Sequence, residues 1–165
     1  MDKKGHVLNA VLLAIGVGYV LEPSGDVSTF VAIAEVSLPL VLGALFPDVD
    51  TAFGKHRKTL HNLPVLGIAL AYPHFFGNLS FVWAGILSHY VLDVLGSKRG
   101  IALFYPLWDE EFGSPTGVTT TSKFAEVVTI VVTLVEIAVF AAFVHLLPQY
   151  LPPGLELAGL TAMGG

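Results

Sequence analysis

Cysteine is absent from the 165 residues. No disulfide and no thiolate-bound zinc can form, so any metal must sit on histidine and carboxylate. Charge is scarce as well: Asp, Glu, Lys and Arg make up 13% of the chain against 54% hydrophobic residues, and the mean hydropathy is +0.74. A soluble domain could not cover its surface with so few polar groups, which makes lipid the expected solvent. The formal charge of -5 comes without a basic stripe, so nucleic acid is not expected as a partner. No small-x-small cleavage site precedes Glu22-Pro23. Lys3-Lys4 and the apolar run behind them therefore read as a retained first helix rather than a secretory signal.

Long apolar runs are what the chain does have. They fall at Val7 to Leu21, Val27 to Phe46, Leu63 to Phe76, Leu79 to Leu95 and Phe124 to Leu147. Each is roughly 14 to 24 residues long, against the ~20 that cross a bilayer core. The expected fold is all-α, a polytopic membrane bundle of about five transmembrane helices forming one domain over residues 1–147. The third run is short and ends at Tyr72-Pro73, which predicts a tilted or partly re-entrant helix, or a hairpin with the fourth that turns at Gly77-Asn78. Residues 148–165, with Pro152-Pro153 and a closing Gly-Gly, read as a loosely held tail.

Basic residues test the topology, because Lys and Arg accumulate in short cytoplasmic loops. With five spans, the N-terminus and the loops at 47–62 and 96–123 share one side. Lys3, Lys4, Lys55, Arg57, Lys58, Lys98, Arg99 and Lys123, all eight basic residues, lie in those three segments. The reading places the protein in the cytoplasmic (inner) membrane with its N-terminus inside and its C-terminus outside.

On that topology the His and Asp residues gather at the cytoplasmic face. His6 opens the first helix, Asp48 and Asp50 follow the second, His56 and His61 precede the third, and His89 and Asp93 sit near the inner end of the fourth. His89 and Asp93, four residues apart on a helix, point from one face a turn apart, so they can share a cation or pair as ligand and orienting carboxylate. Pro47-Asp48-Val49-Asp50 offers two carboxylates at a helix exit. Ionisable groups within a span are costly unless paired or metal-bound, and are read first as functional. His74 and His145 fall near the opposite face and read as interfacial. Glu35 and Glu136 lie in mid-span, where a protonated or mutually hydrogen-bonded pair is expected rather than a proton path. Trp83, Trp108 and Tyr105 read as interface or packing aromatics.

The ordered set His6, Phe46-Pro47-Asp48-Val49-Asp50, His56-Arg57 with His61, Ser88-His89 with Asp93, and Gly100 with Tyr105-Pro106 resembles the inner-membrane metal-dependent hydrolase family, also described as LexA-binding, inner membrane-associated hydrolases. The resemblance runs from His6 to about Trp108. It implies a multi-pass helical architecture and metal-dependent hydrolysis. Asn62 stands where the family usually has Ser. Gly96 stands where it has Thr, and Ser97 with Gly100 restores the Thr-x-x-Gly spacing after one inserted residue.

His and carboxylate ligands suit zinc or manganese, as one or two ions. The expected ligands are His6, Asp48, His61, His89 and Asp93, with Asp50 and His56 as ligand or base and Arg57 assisting catalysis. Arg57, Lys58, Lys98 and Arg99 beside the inner leaflet suit a phospholipid or other phosphoester substrate, although topology alone also explains them. No His-Glu-x-x-His helix and no Gly-x-Ser-x-Gly elbow occurs. The Pro-Ser-Gly-His partner motif of acid-phosphatase-type lipid phosphatases is missing too. The alternative is a metal-binding membrane protein without catalysis: an ion carrier, a sensor or a partner scaffold. A carrier places its ligands near mid-bilayer, whereas this cluster lies at one end. Oligomeric state is not legible. Reporter fusions test the topology: a fusion after Asp26 should read outside and one after Lys58 inside, and the reverse pair would place the N-terminus outside.

Overall fold

The computed structural model describes residues 2–77, 79–115, 117–119 and 121–146. The expected tail at 148–165, Leu147 and the Asn78 half of the expected hairpin turn lie outside them. Five helices follow in order: α1 (Lys3–Leu21), α2 (Val27–Leu45), α3 (Leu63–Phe76), α4 (Val82–Gly96) and α5 (Ala125–Leu146), with a short 3-10 helix at Pro47–Ala52. Among the described residues there is no strand, only isolated bridges at Ser97–Val118 and Ile101–Phe112.

Local chemistry sets the helix ends. Asp2 caps α1 by accepting from the Gly5 N–H at 2.9 Å, so the helix starts at Lys3 and His6 lies inside its first turns rather than at its opening. Asp26 caps α2 and Asn62 caps α3, the latter accepting from the Val65 N–H at 3.1 Å. α3 stops at Gly77, whose φ of 66° is left-handed. α1, the α2 segment through Ala52, and α5 are long and apolar enough to cross a membrane. α3 and α4, at 14 and 15 residues, extend only about 21 and 22 Å at ~1.5 Å per residue, short of a ~30 Å core.

The polarity is that of a protein in lipid. Phe30, Leu38, Ile68, Phe75, Leu134 and Val139 are exposed, while His6, Asn9, His61, His89 and Asp93 are buried. On α1 the buried residues His6, Asn9, Ala10, Leu13, Ala14, Val17 and Gly18 recur every three or four positions, forming one inward stripe. Its polar end holds His6 and Asn9. Its apolar end joins Val36, Leu40 and Phe81.

α2 and α4 cross with almost no side chain between them. A Cβ on Gly43 would lie 2.1 Å from the Val82 carbonyl oxygen, and one on Gly85 would lie 2.1 Å from that of Leu40. Small residues at both positions let the backbones touch, the usual way helices associate in lipid. That contact carries His89, one turn beyond Gly85, onto the end of α2. Gly85→Ala should therefore cost about 1–3 kcal/mol through overpacking, read as a lower unfolding midpoint in detergent. Gly67→Ala on α3 faces open space and should be neutral or stabilising by up to about 1 kcal/mol. Equal midpoints for the two variants would contradict the close crossing.

Candidate metal centre

Four elements bring the His and Asp residues together: α1 supplies His6, the 3-10 helix Asp48 and Asp50, the following loop His56 and His61, and α4 His89 and Asp93. His89 lies seven residues before the end of α4, about 10 Å inside it at ~1.5 Å per residue. His89 and Asp93 thus lie in the last two turns of α4, near the end that the sequence indicated.

The contacts are short. His61 Nε2 and His89 Nε2 face each other at 3.0 Å. Asp48 Oδ1 stands 3.9 Å from each of them. Asp93 Oδ2 stands 3.7 Å from His89 Nε2 and 3.9 Å from His61 Nε2. The His6 ring stacks on His89 with centroids 3.6 Å apart, and its Nε2 lies 3.4 Å from Asp93 Oδ1. That distance is within ion-pair range but lacks hydrogen-bond geometry, and both His6 ring nitrogens are buried without a hydrogen-bond partner.

The remaining ring nitrogens decide the tautomers. His89 Nδ1 is 2.6 Å from the Ala44 carbonyl oxygen, which can only accept. His61 Nδ1 is 2.9 Å from Asp50 Oδ2, again an acceptor. Both rings thus carry a proton on Nδ1 and turn an Nε2 lone pair inward, tautomers assigned from their partners. Burial pushes the His61 imidazole below its ordinary pKa, opposed by the Asp50 carboxylate. Two lone pairs 3.0 Å apart repel unless a metal ion lies against both or one ring takes a second proton and donates it to the other.

The donor set fits such a cation. Ligands arranged tetrahedrally at ~2.0–2.1 Å from zinc stand about 3.3–3.4 Å apart, and the distances here run from 3.0 to 3.9 Å. Two triads have mutually adjacent ligand atoms, His6–His89–Asp93 and Asp48–His56–His61. They abut at the His61–His89 contact, an arrangement open to one ion or to a close pair.

Asp50 works from behind. It is fully buried, and its oxygens accept from His61 Nδ1, from His56 Nδ1 at 3.0 Å and from the Leu60 N–H at 3.3 Å. This is the carboxylate–histidine support that fixes the orientation of a metal-binding imidazole. A model of the YdjM inner membrane protein family matches residues 1–151. The chain belongs to this family. Comparison with curated proteins and with solved structures gives no match. Membership of the YdjM family makes this an inner-membrane protein family and carries no statement about hydrolysis.

Around the YdjM-family cluster, two loops lock together. Arg57 donates from Nη1 to the Gly100 carbonyl at 2.7 Å and to Ser97 Oγ at 3.4 Å, while its own carbonyl accepts from the Ala102 N–H. These contacts run to the second loop. Gly100 is required there: its φ is 72°, and a Cβ would lie 1.8 Å from the Phe112 carbonyl oxygen. Lys58 pairs with Asp109 at 3.3 Å, and Arg99 with Glu111 at 2.7 Å, which holds the Glu111 carboxyl below its ordinary range. Of the four cations assigned to an anionic substrate, Arg57 and Lys58 are thus engaged between the two loops and Arg99 within the second. Lys98 is exposed.

Some partners escaped the sequence reading. The Ala44 carbonyl carries no side-chain signal. Tyr90 donates to the Leu60 carbonyl at 2.5 Å and accepts from the Asn62 N–H at 3.1 Å, fastening the His61 segment. Asn9 was legible as a lone amide in an apolar run, three residues past His6. The expected Glu35–Glu136 pair does not form. Asn9 Nδ2 donates to Glu136 Oε2 at 2.7 Å, whereas Glu35 lines an open cleft with Glu22, Ser28 and Ser80. Their helices, α2 and α5, each pack on α1 and α4, and the two carboxyls are turned to different groups there.

Proposed function

We propose that this chain is a metal-dependent hydrolase of the inner membrane, with one or two zinc or manganese ions held by His6, Asp48, His61, His89 and Asp93. The observation that carries the reading is the facing pair of Nε2 lone pairs at 3.0 Å, each ring's proton being committed to Asp50 or Ala44. A divalent ion held by these residues supplies Lewis acidity and brings the ionisation of water towards neutral pH. Asp50 orients His61 and His56. His56, whose side chain is 40% exposed, joins Asp50 to the solvent side and is assigned to proton transfer. Arg57 is assigned to positioning, because it pins the His56–His61 loop against Gly100.

The substrate class proposed is a phosphoester or lipid-like ester. Phe46, Val49 and Phe53 are exposed beside Asp48 and Asp50, so an acyl chain can lie along the approach to the carboxylates. The N-terminus is placed on the cytoplasmic side, following the one-sided Lys and Arg distribution. The tight burial of His6, His61, His89 and Asp93 favours a second reading, a binding site without turnover, since closed sites are usually structural. The partly open Asp48 edge, with 11% side-chain exposure, supports catalysis.

A graded series of variants tests the proposal. His89→Ala should lose the metal and essentially all hydrolysis while the helix persists, because Ala is a strong helix former. Asp50→Ala should weaken metal affinity by about 10–100-fold. His74→Ala, an exposed residue on α3, should change neither. Full metal content and full turnover in His89→Ala would refute the site, and stoichiometric metal without turnover on any ester or phosphoester would select the second reading.

A further inference from the structure

A second polar cluster lies between α1, α4 and α5, apart from the metal centre. Asn9 Nδ2 donates to Thr133 Oγ1 at 2.8 Å and to Glu136 Oε2 at 2.7 Å. Ser88 Oγ contacts Asn9 Oδ1 closely and Glu136 Oε2 at 3.4 Å. Thr133 Oγ1 in turn donates to the Thr129 carbonyl at 2.8 Å. Asn9, Ser88, Thr129 and Thr133 are buried. Glu136 stands near the middle of α5, a helix long and apolar enough to cross a membrane.

The cluster leaves one atom unanswered. Glu136 Oε2 accepts from Asn9, but Glu136 Oε1 is buried without a hydrogen-bond partner. An ionised carboxylate at this depth needs a positive partner. α5 packs on α1 and α4. Among the described contacts, α1 meets Glu136 with Asn9 and α4 meets it with Ser88, neither of them charged. The titratable groups nearest on those helices, His6 and His89, are turned to the metal centre, and Tyr90 is turned to the Leu60–Asn62 segment.

The cluster also approaches a cavity. Thr129 lines a cavity of about 300 Å³ between the starts of α1 and α5, whose walls include Asp2, Lys4, Lys123 and Glu126. Thr129 and Thr133 each donate to the carbonyl four residues back on α5, and Asn9 links Thr133 Oγ1 to Glu136 Oε2.

We propose that Glu136 is an intramembrane proton-binding site, holding its proton on Oε1. Asn9 orients the carboxyl by donating to Oε2, which leaves Oε1 as the oxygen that takes up and releases the proton. The ligand is a proton rather than a metal, because the amide N–H groups of Asn9 point at Oε2 and Thr133 Oγ1 and occupy the side a cation would need. The site is independent of the hydrolytic reading, since none of its members is a proposed metal ligand.

Infrared spectroscopy of the full chain in phosphatidylcholine vesicles tests this. Wild type should show a protonated-carboxyl C=O stretch at neutral pH that shifts in D2O. Glu136→Gln should lose that band and Glu35→Gln should keep it. Glu136→Asp, which retains the chemistry with a shorter arm, should show the band displaced and guards against a variant that merely fails to fold. The proposal is overturned if wild type lacks the band at neutral pH, if Glu136→Gln keeps it, or if the band does not respond to D2O. Conversion of the band to a carboxylate signal by added sodium at fixed pH would also overturn it, by making the site a cation site.

Discussion

Inside a bilayer no water is at hand to satisfy a polar group, so every imidazole, carboxylate and amide buried there must find its partner within the protein. The architecture of this chain follows from that constraint. Its outer surface is apolar, and its polar side chains are drawn into two compact clusters between helices. The touching backbones of α2 and α4 at Gly43 and Gly85 let His89 reach the Ala44 carbonyl. Once that proton is placed, the tautomer of His89 is set, and with it the demand for a metal ion or a shared proton between His89 and His61. Packing and chemistry are therefore one problem here, and a bulkier residue at the crossing would disturb both.

Much of this was legible in the sequence. The apolar runs point to five helices, with ends that differ from the runs by at most four residues. The i, i+4 spacing of His89 and Asp93 and the clustering of His and Asp at one face led to residues that the structure brings within 4 Å of one another. Depth was harder. A hydropathy run has no marker for where a helix stops among its neighbours, so α4 begins at Val82 rather than Leu79 and ends a residue later, at Gly96. Partnerships across helices were not legible at all. Whether Glu136 meets Glu35 or Asn9 depends on helix rotation, which composition does not encode, and the Ala44 carbonyl has no side chain to announce it. Arg57 illustrates the same limit, since a cation beside an expected active site reads as catalytic until its contact with Gly100 is seen.

The two clusters differ in chemistry. The nitrogen-rich one joins His6, His61 and His89 to carboxylates and suits a borderline cation such as zinc. The oxygen and amide set around Glu136 has no imidazole and suits a proton. α1 contributes to both through His6 and Asn9, three residues apart on its inward stripe, and α4 does so through Ser88 and His89. A small bundle can in this way hold two unlike polar sites side by side, because one helix face serves each.

The central claim is that a divalent ion sits among the inward nitrogens of the histidines and the carboxylates of Asp48 and Asp93. X-ray absorption at the zinc edge on the purified, zinc-loaded protein tests it most directly. The expected spectrum has nitrogen and oxygen scatterers at ~2.0–2.1 Å, the outer-shell pattern of imidazole and no sulfur contribution. A protein that retains no zinc, or a shell of oxygen alone without imidazole, would contradict it.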